Sequence, residues 1–475
     1  MAWHPDLERA FHPKAVAVVG ASGAGTRALQ GSGFIRNFQK LGFEGRIYPV
    51  NPKLKEIYGL KVYPNLASIP EPLDLVIIST PASEVPGVLE DCIAAGARNV
   101  HVLSAGFGES GEEKGKQLEE RVKEIALRGE LNLIGPNCMG ISVPKVRMLT
   151  MHRLPIDSGS VALLSQSGGH ALQFIHYARG FSIGFSKVIS YGNGCIMDST
   201  DFLEYLATDP ETRLITMYIE GVRDGRRLVK QVGEINRTKP VIMWKGGLSE
   251  SGVRAVASHT GALAGNVAIW DAFFKQTGAV SVDSLDELTD VTLTFLYLTP
   301  PSGQRVALLV GGGGRSVAAT DLCAREGLEV PHLTTKTKRR LREFIPVAGT
   351  SVNNPVDAEM MQRNLDMFEQ TLRLVAADPR VDIVIADLHL NMLQEIGSSA
   401  IQEMERIMRC FVQQNNKPLI TVLATWGGNS EIRAEQARLE EEFLKAGIGV
   451  YRTLPRALRA LAKFIQYHKF QRANS

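Results

Sequence analysis

One histidine in a glycine-rich loop is the residue of this sequence best suited to carry a chemical group. His259 lies in the stretch Ser258–Gly261, which follows an apolar, strand-like run ending at Lys245. An imidazole nitrogen is a nucleophile near neutral pH, and backbone amides at the start of a helix can hold a phosphate. We therefore predict that His259 carries a phosphoryl group between two sites. An ordinary surface histidine is the alternative interpretation.

A carboxylate at the end of another strand-like run is the candidate partner of this histidine. Glu220 follows the apolar run Leu214–Ile219. A carboxylate that accepts a hydrogen bond from one imidazole nitrogen orients the ring and raises the basicity of the other nitrogen. We predict that His259 and Glu220 form the catalytic pair, with an exposed strand-end acid as the alternative for Glu220.

Two further loops have the composition of anion-binding turns. The first runs from Ser165 to Gly169, between an apolar strand and an amphipathic stretch; a serine there could also cap a helix without any ligand. The second is Gly311–Gly314, four consecutive glycines whose entropic cost favours close approach of a ligand to the backbone. The residues predicted to bind phosphate or the acyl group are Ser165, Gln166, Ser167, Gly168, Gly169, Gly312 and Gly313.

The first 150 residues have the strand, glycine-rich turn and helix order of a nucleotide-binding doubly wound sheet. The second strand ends at Val50-Asn51-Pro52-Lys53, without the carboxylate that binds the ribose hydroxyls of NAD. Lys53 instead favours coenzyme A, which has a phosphate on its ribose, although a solvated loop lysine is an equal alternative. The predicted coenzyme A-binding residues follow successive strands and are Gly20, Ala21, Ser22, Gly23, Val50, Asn51, Lys53, Thr80, Pro81, Ser104, Ala105, Gly106 and Asn137.

The rest of the chain reads as two copies of one strand–helix pattern. Val161–Leu164 corresponds to Val306–Leu309, and Lys239-Pro240 corresponds to Lys417-Pro418. Alternation of strands and helices at this spacing predicts parallel sheets covered on both faces. Only the first copy contains the histidine and the glutamate, which favours a chemical rather than a scaffolding role for them. We predict an α/β fold with a Rossmann-like coenzyme A-binding domain at 1–150, followed by two flavodoxin-like doubly wound domains at 155–300 and 303–470.

Composition excludes several classes of protein. The 475 residues are too many for one core, and the net charge of +3 is spread without basic runs, which argues against nucleic acid or an anionic membrane as partner. The five cysteines are widely spaced, so we predict neither a disulfide framework nor a metal site. No apolar run has membrane-spanning length and the first residues do not resemble a signal peptide, so we expect a cytoplasmic protein.

Taken together, these motifs resemble the α subunits of the nucleoside-diphosphate-forming acyl-CoA synthetases, the ADP-forming acetate–CoA ligases related to succinyl-CoA synthetase. The similarity covers nearly the whole chain and is most specific at Ser258–Gly265. It implies the reaction acyl-CoA + ADP + phosphate ⇌ carboxylic acid + CoA + ATP. Phosphate would attack the thioester to give an acyl phosphate, and His259 would take the phosphoryl group with support from Glu220. The group would then pass to ADP at an ATP-grasp domain.

The resemblance also implies a partner. We recognise no ATP-grasp segment in the chain, so ATP or ADP and Mg²⁺ would belong to a separate β subunit in an α2β2 assembly. Gly311–Arg315 departs from the glycine–proline–glycine of the family, and Tyr191–Cys195 is unusual near the acyl pocket, so the acid is acetate by default or a larger acid. Two alternatives lack phosphoryl chemistry: a non-catalytic CoA-binding regulatory subunit, and a ligase homologue of the protein-acetyltransferase type. The presence of both His259 and Glu220 favours the synthetase.

Overall fold

Three sheets, each with helices packed against it, organise the chain. The computed structural model describes residues 7–21, 31–151, 156–252, 266–357, 361, 363–425, 427 and 430–474. The chain divides into two compact units, Met1–Arg179 with Ile183–Leu285 and Gly180–Ser182 with Asp286–Ser475. The predicted α/β class with parallel sheets is confirmed.

The first sheet is parallel and built from short apolar strands. Every residue of its first strand in the chain, Ala15–Val19, is buried, as expected for a parallel strand covered on both faces. Its strands are β1 (Ala15–Val19), β2 (Arg46–Val50), β5 (Leu75–Ile78), β6 (Asn99–Val102) and β7 (Asn132–Ile134), in the order β2-β1-β5-β6-β7, and the hairpin β3 (Glu56–Ile57) and β4 (Leu60–Lys61) follows β2. Its helices are α1 (Glu8–Phe11), α2 (Gly31–Leu41), α3 (Val85–Ala94) and α4 (Glu113–Arg128).

The second sheet has seven strands. They are β8 (Gly140–Val143), β9 (Met148–Leu149), β10 (Ser158–Ser165), β11 (Phe185–Ser190), β12 (Leu214–Ile219), β13 (Val241–Lys245) and β14 (Val280–Val282), in the order β14-β13-β12-β10-β11-β8-β9. Its helices are α5 (Gly168–Arg179), α6 (Ser199–Thr208), α7 (Gly225–Ile235) and α8 (Val267–Thr277). Strands β10 to β14 are parallel, whereas β8 and β9 are antiparallel. The last strands of the predicted 1–150 range therefore extend the second sheet, and the domain boundaries themselves stay a prediction.

The third sheet is again parallel. Its strands are β15 (Val306–Val310), β16 (Val356–Asp357), β17 (Ile383–His389), β18 (Leu419–Ala424) and β19 (Val450–Tyr451), in the order β16-β15-β17-β18-β19. Helix α9 (Leu285–Tyr297) precedes it in the chain, and the later helices are α10 (Gly313–Arg325), α11 (Thr335–Arg342), α12 (Leu365–Ala376), α13 (Leu390–Ile396), α14 (Ser398–Gln414), α15 (Ser430–Lys445) and α16 (Leu454–Ala473).

The parallel strands of all three sheets share one winding order. Numbered along the chain, they follow the doubly wound order 2-1-3-4-5. The order reverses between β1 and β5, between β10 and β12, and between β15 and β17. Ligands of such sheets bind in the crevice at the carboxyl ends of the strands at this switch point. The fold therefore offers three candidate crevices, one in each sheet, and the shared order of the second and third sheets agrees with the predicted repeat.

A buried lysine is held by two carboxylates beneath the second sheet. The side chain of Lys187 on β11 is fully buried, with Nζ 2.5 Å from Glu211 Oε2 and 3.2 Å from Asp209 Oδ2. Glu211 Oε1 also accepts from Lys145 Nζ at 2.6 Å. Desolvation is the largest influence on Glu211 and raises its pKa, but the hydrogen bonds and charges of Lys145 and Lys187 together prevail and lower the pKa to about 2.

We expect the variant Glu211→Gln to lose a pH-dependent part of the stability. Because the pKa of Glu211 is lower in the folded chain than in the unfolded chain, its contribution is present above pH ~4.5 and disappears as the pH falls through about 2. Urea unfolding across that range measures it: the gap in unfolding free energy between wild type and variant should be full at pH 7 and close towards pH 2. A gap that does not change with pH would contradict this assignment.

Candidate functional site

The predicted coenzyme A residues lie in a row along the carboxyl edge of the first sheet. Backbone hydrogen bonds join neighbouring turns: Gly20 N donates to Val50 O at 3.2 Å, and Asn137 N donates to Ser104 O at 2.9 Å. The hydroxyl of Ser104 donates to the carbonyl of Thr80. Turns that are far apart in sequence thus form one continuous rim. Residues described on this rim are Gly20, Ala21, Val50, Asn51, Lys53, Thr80, Pro81, Ser104, Ala105, Gly106 and Asn137.

The turn after β1 has the backbone shape that a coenzyme cradle requires. Gly20 has φ +88°, and a Cβ atom there would lie 2.8 Å from the backbone carbonyl of Ser79. Only glycine fits both the conformation and the space, so the turn after β1 packs directly against the Ser79 backbone at this switch point. The hydroxyl oxygen of Thr80 is buried and has no hydrogen-bond partner among the described residues. The residues present therefore fit a ligand that supplies polar atoms here.

Asn51 has a structural function that the sequence reading did not assign to it. Its side-chain amide donates to Ala21 O at 2.7 Å, and its Oδ1 accepts from Lys53 N at 2.8 Å. These bonds tie the turn after β2 to the glycine turn after β1 and leave the Lys53 side chain exposed. The end of β2 therefore has no carboxylate, and it places an exposed lysine, Lys53, beside the glycine turn after β1.

The edges of the first and second sheets meet within the first compact unit. Asn193 N donates to Pro136 O at 3.1 Å, and Met139 N donates to Ser190 Oγ at 3.2 Å. A Cβ atom on Gly168 would lie 2.7 Å from Cγ of Met139, so this helix start packs directly against the segment after β7. The predicted coenzyme A residue Asn137 is therefore two residues from a side chain that contacts the predicted phosphate-binding turn.

The turn after β10 is a serine-rich helix start. Ser165 Oγ donates to Ser167 O at 2.7 Å, and Ser167 Oγ accepts from His170 N at 3.3 Å. Gly168 and Gly169 belong to the first turn of α5 and have no side chains to cover its amides. This geometry satisfies the capping interpretation, and it also leaves the first turn open to an anion.

Glu220 is held at the switch point of the second sheet by its backbone. Its N–H and that of Gly221 donate to Gln166 Oε1 at 2.8 and 3.1 Å, and its carbonyl accepts from Lys245 Nζ at 2.8 Å. The hydroxyl of Tyr218 donates to Glu220 Oε1 at 3.2 Å. The side chain is only 7% exposed, yet Oε2 accepts no hydrogen bond from the described residues. Within the described part of the chain, the carboxylate therefore has one acceptor without a partner, at a fixed position.

Aromatic rings beside Glu220 were not predicted from the sequence. The ring of His170 stacks on Tyr218 with centroids 4.0 Å apart, and Trp244 meets His170 edge-on at 4.9 Å. Burial lowers the pKa of His170, and the charge of Glu220 acts in the opposite direction. Burial also lowers the pKa of Lys245 to about 8, again opposed by Glu220. Tyr218 lies two residues before Glu220 in an extended segment, so the two-residue period of a strand could have identified it.

The glycine turn of the third sheet has a charged pair beside it. Gly312 has φ +82°, its N–H donates to Asp357 Oδ1 at 3.1 Å, and Cβ atoms on Gly313 and Gly314 would meet nothing within 4 Å. The guanidinium of Arg315 bonds Asp387 at 2.5 Å, and burial is the main reason that the pKa of Asp387 is raised. The predicted residues Gly312 and Gly313 thus lie at the open third switch point.

Three predicted residues lie outside the described part of the chain: Ser22, Gly23 and His259. Within the described ranges, no three His, Cys, Asp or Glu side chains are grouped as a metal site, and no helix is long and apolar enough to cross a membrane. Cys138 is buried, which raises the pKa of its thiol and agrees with a packed rather than a nucleophilic cysteine.

Models of three protein families match successive parts of the chain. A CoA binding domain matches residues 14–144, a succinyl-CoA ligase like flavodoxin domain matches residues 158–295, and a ligase-CoA domain matches residues 306–446.

Curated relatives match most of the chain. The chain is 36% identical over 455 residues to the α subunit of acetate–CoA ligase [ADP-forming] II of Pyrococcus furiosus, covering 94% of each chain. It is 34% identical over 473 residues to the α subunit of enzyme I from the same organism, covering 98% of each. Identity to acetate–CoA ligase [ADP-forming] I of Archaeoglobus fulgidus is 38% over 421 residues. That alignment covers 85% of this chain and spans only 60% of the relative.

Two solved structures resemble the whole chain. One is the dinucleotide forming acetyl-coenzyme A synthetase 1 of Candidatus Korarchaeum cryptofilum in complex with phosphate and ADP, with a TM-score of 0.86, 31% identity and 98% of each chain covered. The other is a protein of Pyrococcus horikoshii, with a TM-score of 0.81, 31% identity and coverage of 98% of this chain and 99% of that one.

We expect Gly20→Ala to damage the rim, whereas Gly87→Ala should not. Alanine at position 20 would require an unfavourable positive φ and a 2.8 Å contact with the Ser79 backbone, so we expect a loss of about 1 kcal/mol or more in unfolding free energy. Coenzyme A binding, measured by calorimetry, should weaken with it. Gly87 lies in α3 with open space around it, so Gly87→Ala should raise stability by up to about 1 kcal/mol and leave binding unchanged. Equal behaviour of the two variants would contradict this reading of the cradle.

Proposed function

Because the chain belongs to the family of the ADP-forming acetate–CoA ligases, we propose that it is the α subunit of an ADP-forming acyl-CoA synthetase. The reaction is acyl-CoA + ADP + phosphate ⇌ carboxylic acid + CoA + ATP. The observation that carries the proposal is the free acceptor of Glu220, a buried carboxylate oxygen at the switch point of the second sheet, beside the serine-rich helix start. A carboxylate in that position is suited to orient an imidazole.

The first step forms an acyl phosphate. An oxygen of inorganic phosphate attacks the thioester carbonyl, the carbon–sulfur bond breaks and the thiolate of CoA leaves. The proposed coenzyme A residues along the carboxyl edge of the first sheet hold the CoA portion. The meeting of the two sheet edges at Met139 supports this arrangement, because a thioester held on the first edge would be directed towards the Ser165–Gly169 turn.

The second step moves the phosphoryl group to the chain itself. An imidazole nitrogen of His259 attacks phosphorus, the bond from phosphorus to the acyl oxygen breaks and the carboxylate is released. Glu220 accepts the N–H of the other imidazole nitrogen through Oε2, which raises the nucleophilicity of the reacting nitrogen. We propose that the amides of the Ser165–Gly169 turn bind phosphate or acyl oxygens, and we propose the same role separately for Gly312 and Gly313 at the third sheet.

The final transfer to ADP requires a partner. Two of the relatives are named as α subunits, and such a name implies a partner subunit. We propose that the partner of this chain is an ATP-grasp β subunit in an α2β2 assembly. ADP or ATP and Mg²⁺ would bind on that subunit. The substrate is a small carboxylic acid and its CoA thioester, with acetate as the default, and the protein works in the cytoplasm.

We expect the isolated chain to become phosphorylated when it is incubated with acetyl-CoA and radioactive phosphate. The label should be labile in acid and stable in base, as a phosphohistidine is, because this half-reaction uses only groups that we place on this chain. His259→Ala should abolish the label, and Glu220→Gln should lower its yield while leaving coenzyme A binding unchanged.

The control is Glu250→Gln, which removes an exposed carboxylate from the segment after β13 and should label like the wild type. Label that persists in His259→Ala would contradict the proposed role of the histidine. Absence of label from the wild type, both alone with several acyl-CoA thioesters and after addition of a β subunit, would contradict the synthetase function.

A further inference from the structure

A basic cleft lies at the amino end of the first sheet, on the edge opposite to the coenzyme A residues. Its volume is about 420 Å³, within the usual range of small-ligand pockets. Lys14 precedes β1, Arg46 begins β2, and Arg147 follows a turn of 3₁₀ helix at Pro144–Val146. The charged and titratable side chains that line it are His12, Lys14, Arg46, Lys145, Arg147 and Glu44. Cations therefore dominate the lining.

Two of these cations already have carboxylate partners, and His12 Nδ1 lies 2.9 Å from Glu8 Oε1. Arg46 forms a paired contact with Glu71, and Lys145 Nζ lies 2.6 Å from Glu211 Oε1. The carboxylates of Glu71 and Glu211 are thus already paired with cations of the cleft. They reduce the positive field without removing it, because Glu211 is shared with the buried Lys187.

Lys14 and Arg147 are different, because neither forms an ion pair within the described residues. The backbone N–H of Lys14 donates to Asp74 Oδ2 at 2.7 Å, while its side chain is exposed. Arg147 Nη1 makes one long contact, 3.4 Å, with the carbonyl of Gly42. Two positive side chains from separate elements thus border one cleft, in which Glu44 is the only carboxylate among the lining residues.

The backbone holds Arg147 at a cost. Its φ is +58°, a left-handed conformation that favours glycine and disfavours arginine. Gly42 faces it with φ +74°, and a Cβ atom on Gly42 would lie 3.1 Å from Arg147 Nη1. A side chain at position 42 would crowd the guanidinium, so the glycine leaves room for it. The guanidinium lies against the Gly42 backbone, and residues held in such sparsely populated conformations are concentrated at functional sites.

We propose that this cleft binds a small polyanion carrying at least two anionic groups, at a site separate from the coenzyme A and phosphoryl-transfer residues. The guanidinium of Arg147 suits a phosphate or carboxylate through paired hydrogen bonds, and Lys14 adds a second positive charge. Phosphate and carboxylate groups share this chemistry, so the ligand is either a polyphosphate compound or a polycarboxylic acid. The site does not depend on the proposed synthetase activity.

Calorimetric titration of the full chain tests this, with pyrophosphate and citrate as separate probes, saturating CoA present and low ionic strength. We expect binding of at least one probe. The double variant Lys14→Met/Arg147→Gly should lose at least about tenfold in affinity for that probe, because two charge-assisted contacts are lost. Glycine suits the positive φ of position 147, so folding should be preserved, which thermal unfolding verifies.

Lys114→Met/Lys116→Met is the matched control, because it removes two exposed charges from α4 and nothing from the cleft. It should bind like the wild type, and His259→Ala should do the same, which separates this site from the synthetase chemistry. Tighter binding of pyrophosphate would identify a phosphate compound as the ligand, and tighter binding of citrate a polycarboxylate. Wild-type protein that binds neither probe, or a cleft variant that binds as tightly as the control, would overturn the proposal.

Discussion

The fixed backbone of Glu220 is the constraint on which the candidate site depends. Gln166 accepts hydrogen bonds from two successive N–H groups, and Lys245 donates to the carbonyl on the other side of the same residue. A buried carboxylate is unfavourable unless its surroundings compensate it, and here only one of its oxygens has a described partner. These hydrogen bonds therefore hold Glu220 Oε2 in place without a partner among the described residues. Folding alone does not account for such an acceptor.

That arrangement depends on three strand ends meeting at one edge. Gln166 follows β10, Glu220 follows β12 and Lys245 ends β13, and parallel pairing of these strands brings their carboxyl ends together. The third sheet repeats the strand order, but its switch point carries the ion pair of Arg315 and Asp387, whereas the second sheet carries Glu220 beside Tyr218. The same winding thus supports two different chemical environments, and the difference lies in side chains at the strand ends. This is the pattern expected when a shared scaffold supports a site in only one copy.

The sequence predicted the strands and their edges well because both depend on local patterns. Apolar runs followed by glycine or serine turns identified the positions of Gly20, Ser165 and Glu220 correctly at the ends of β1, β10 and β12. The sequence could not predict which side chains form hydrogen bonds with the backbone of distant residues. Gln166 stays a predicted ligand-binding residue, and its side chain also supports Glu220 and Gly221, which lie 54 and 55 positions away in the sequence. The ring stack of His170 on Tyr218 is non-local in the same way.

The most direct test of the central claim is the titration of His259 by nuclear magnetic resonance in the full chain labelled with ¹⁵N-histidine. If the free oxygen of Glu220 receives the imidazole, the negative charge beside the ring raises the pKa of His259, and Glu220→Gln should lower that pKa clearly. Glu250→Gln, which removes an exposed carboxylate, should leave it unchanged. A His259 titration that is the same in the wild type and in Glu220→Gln would show that this carboxylate does not hold the histidine.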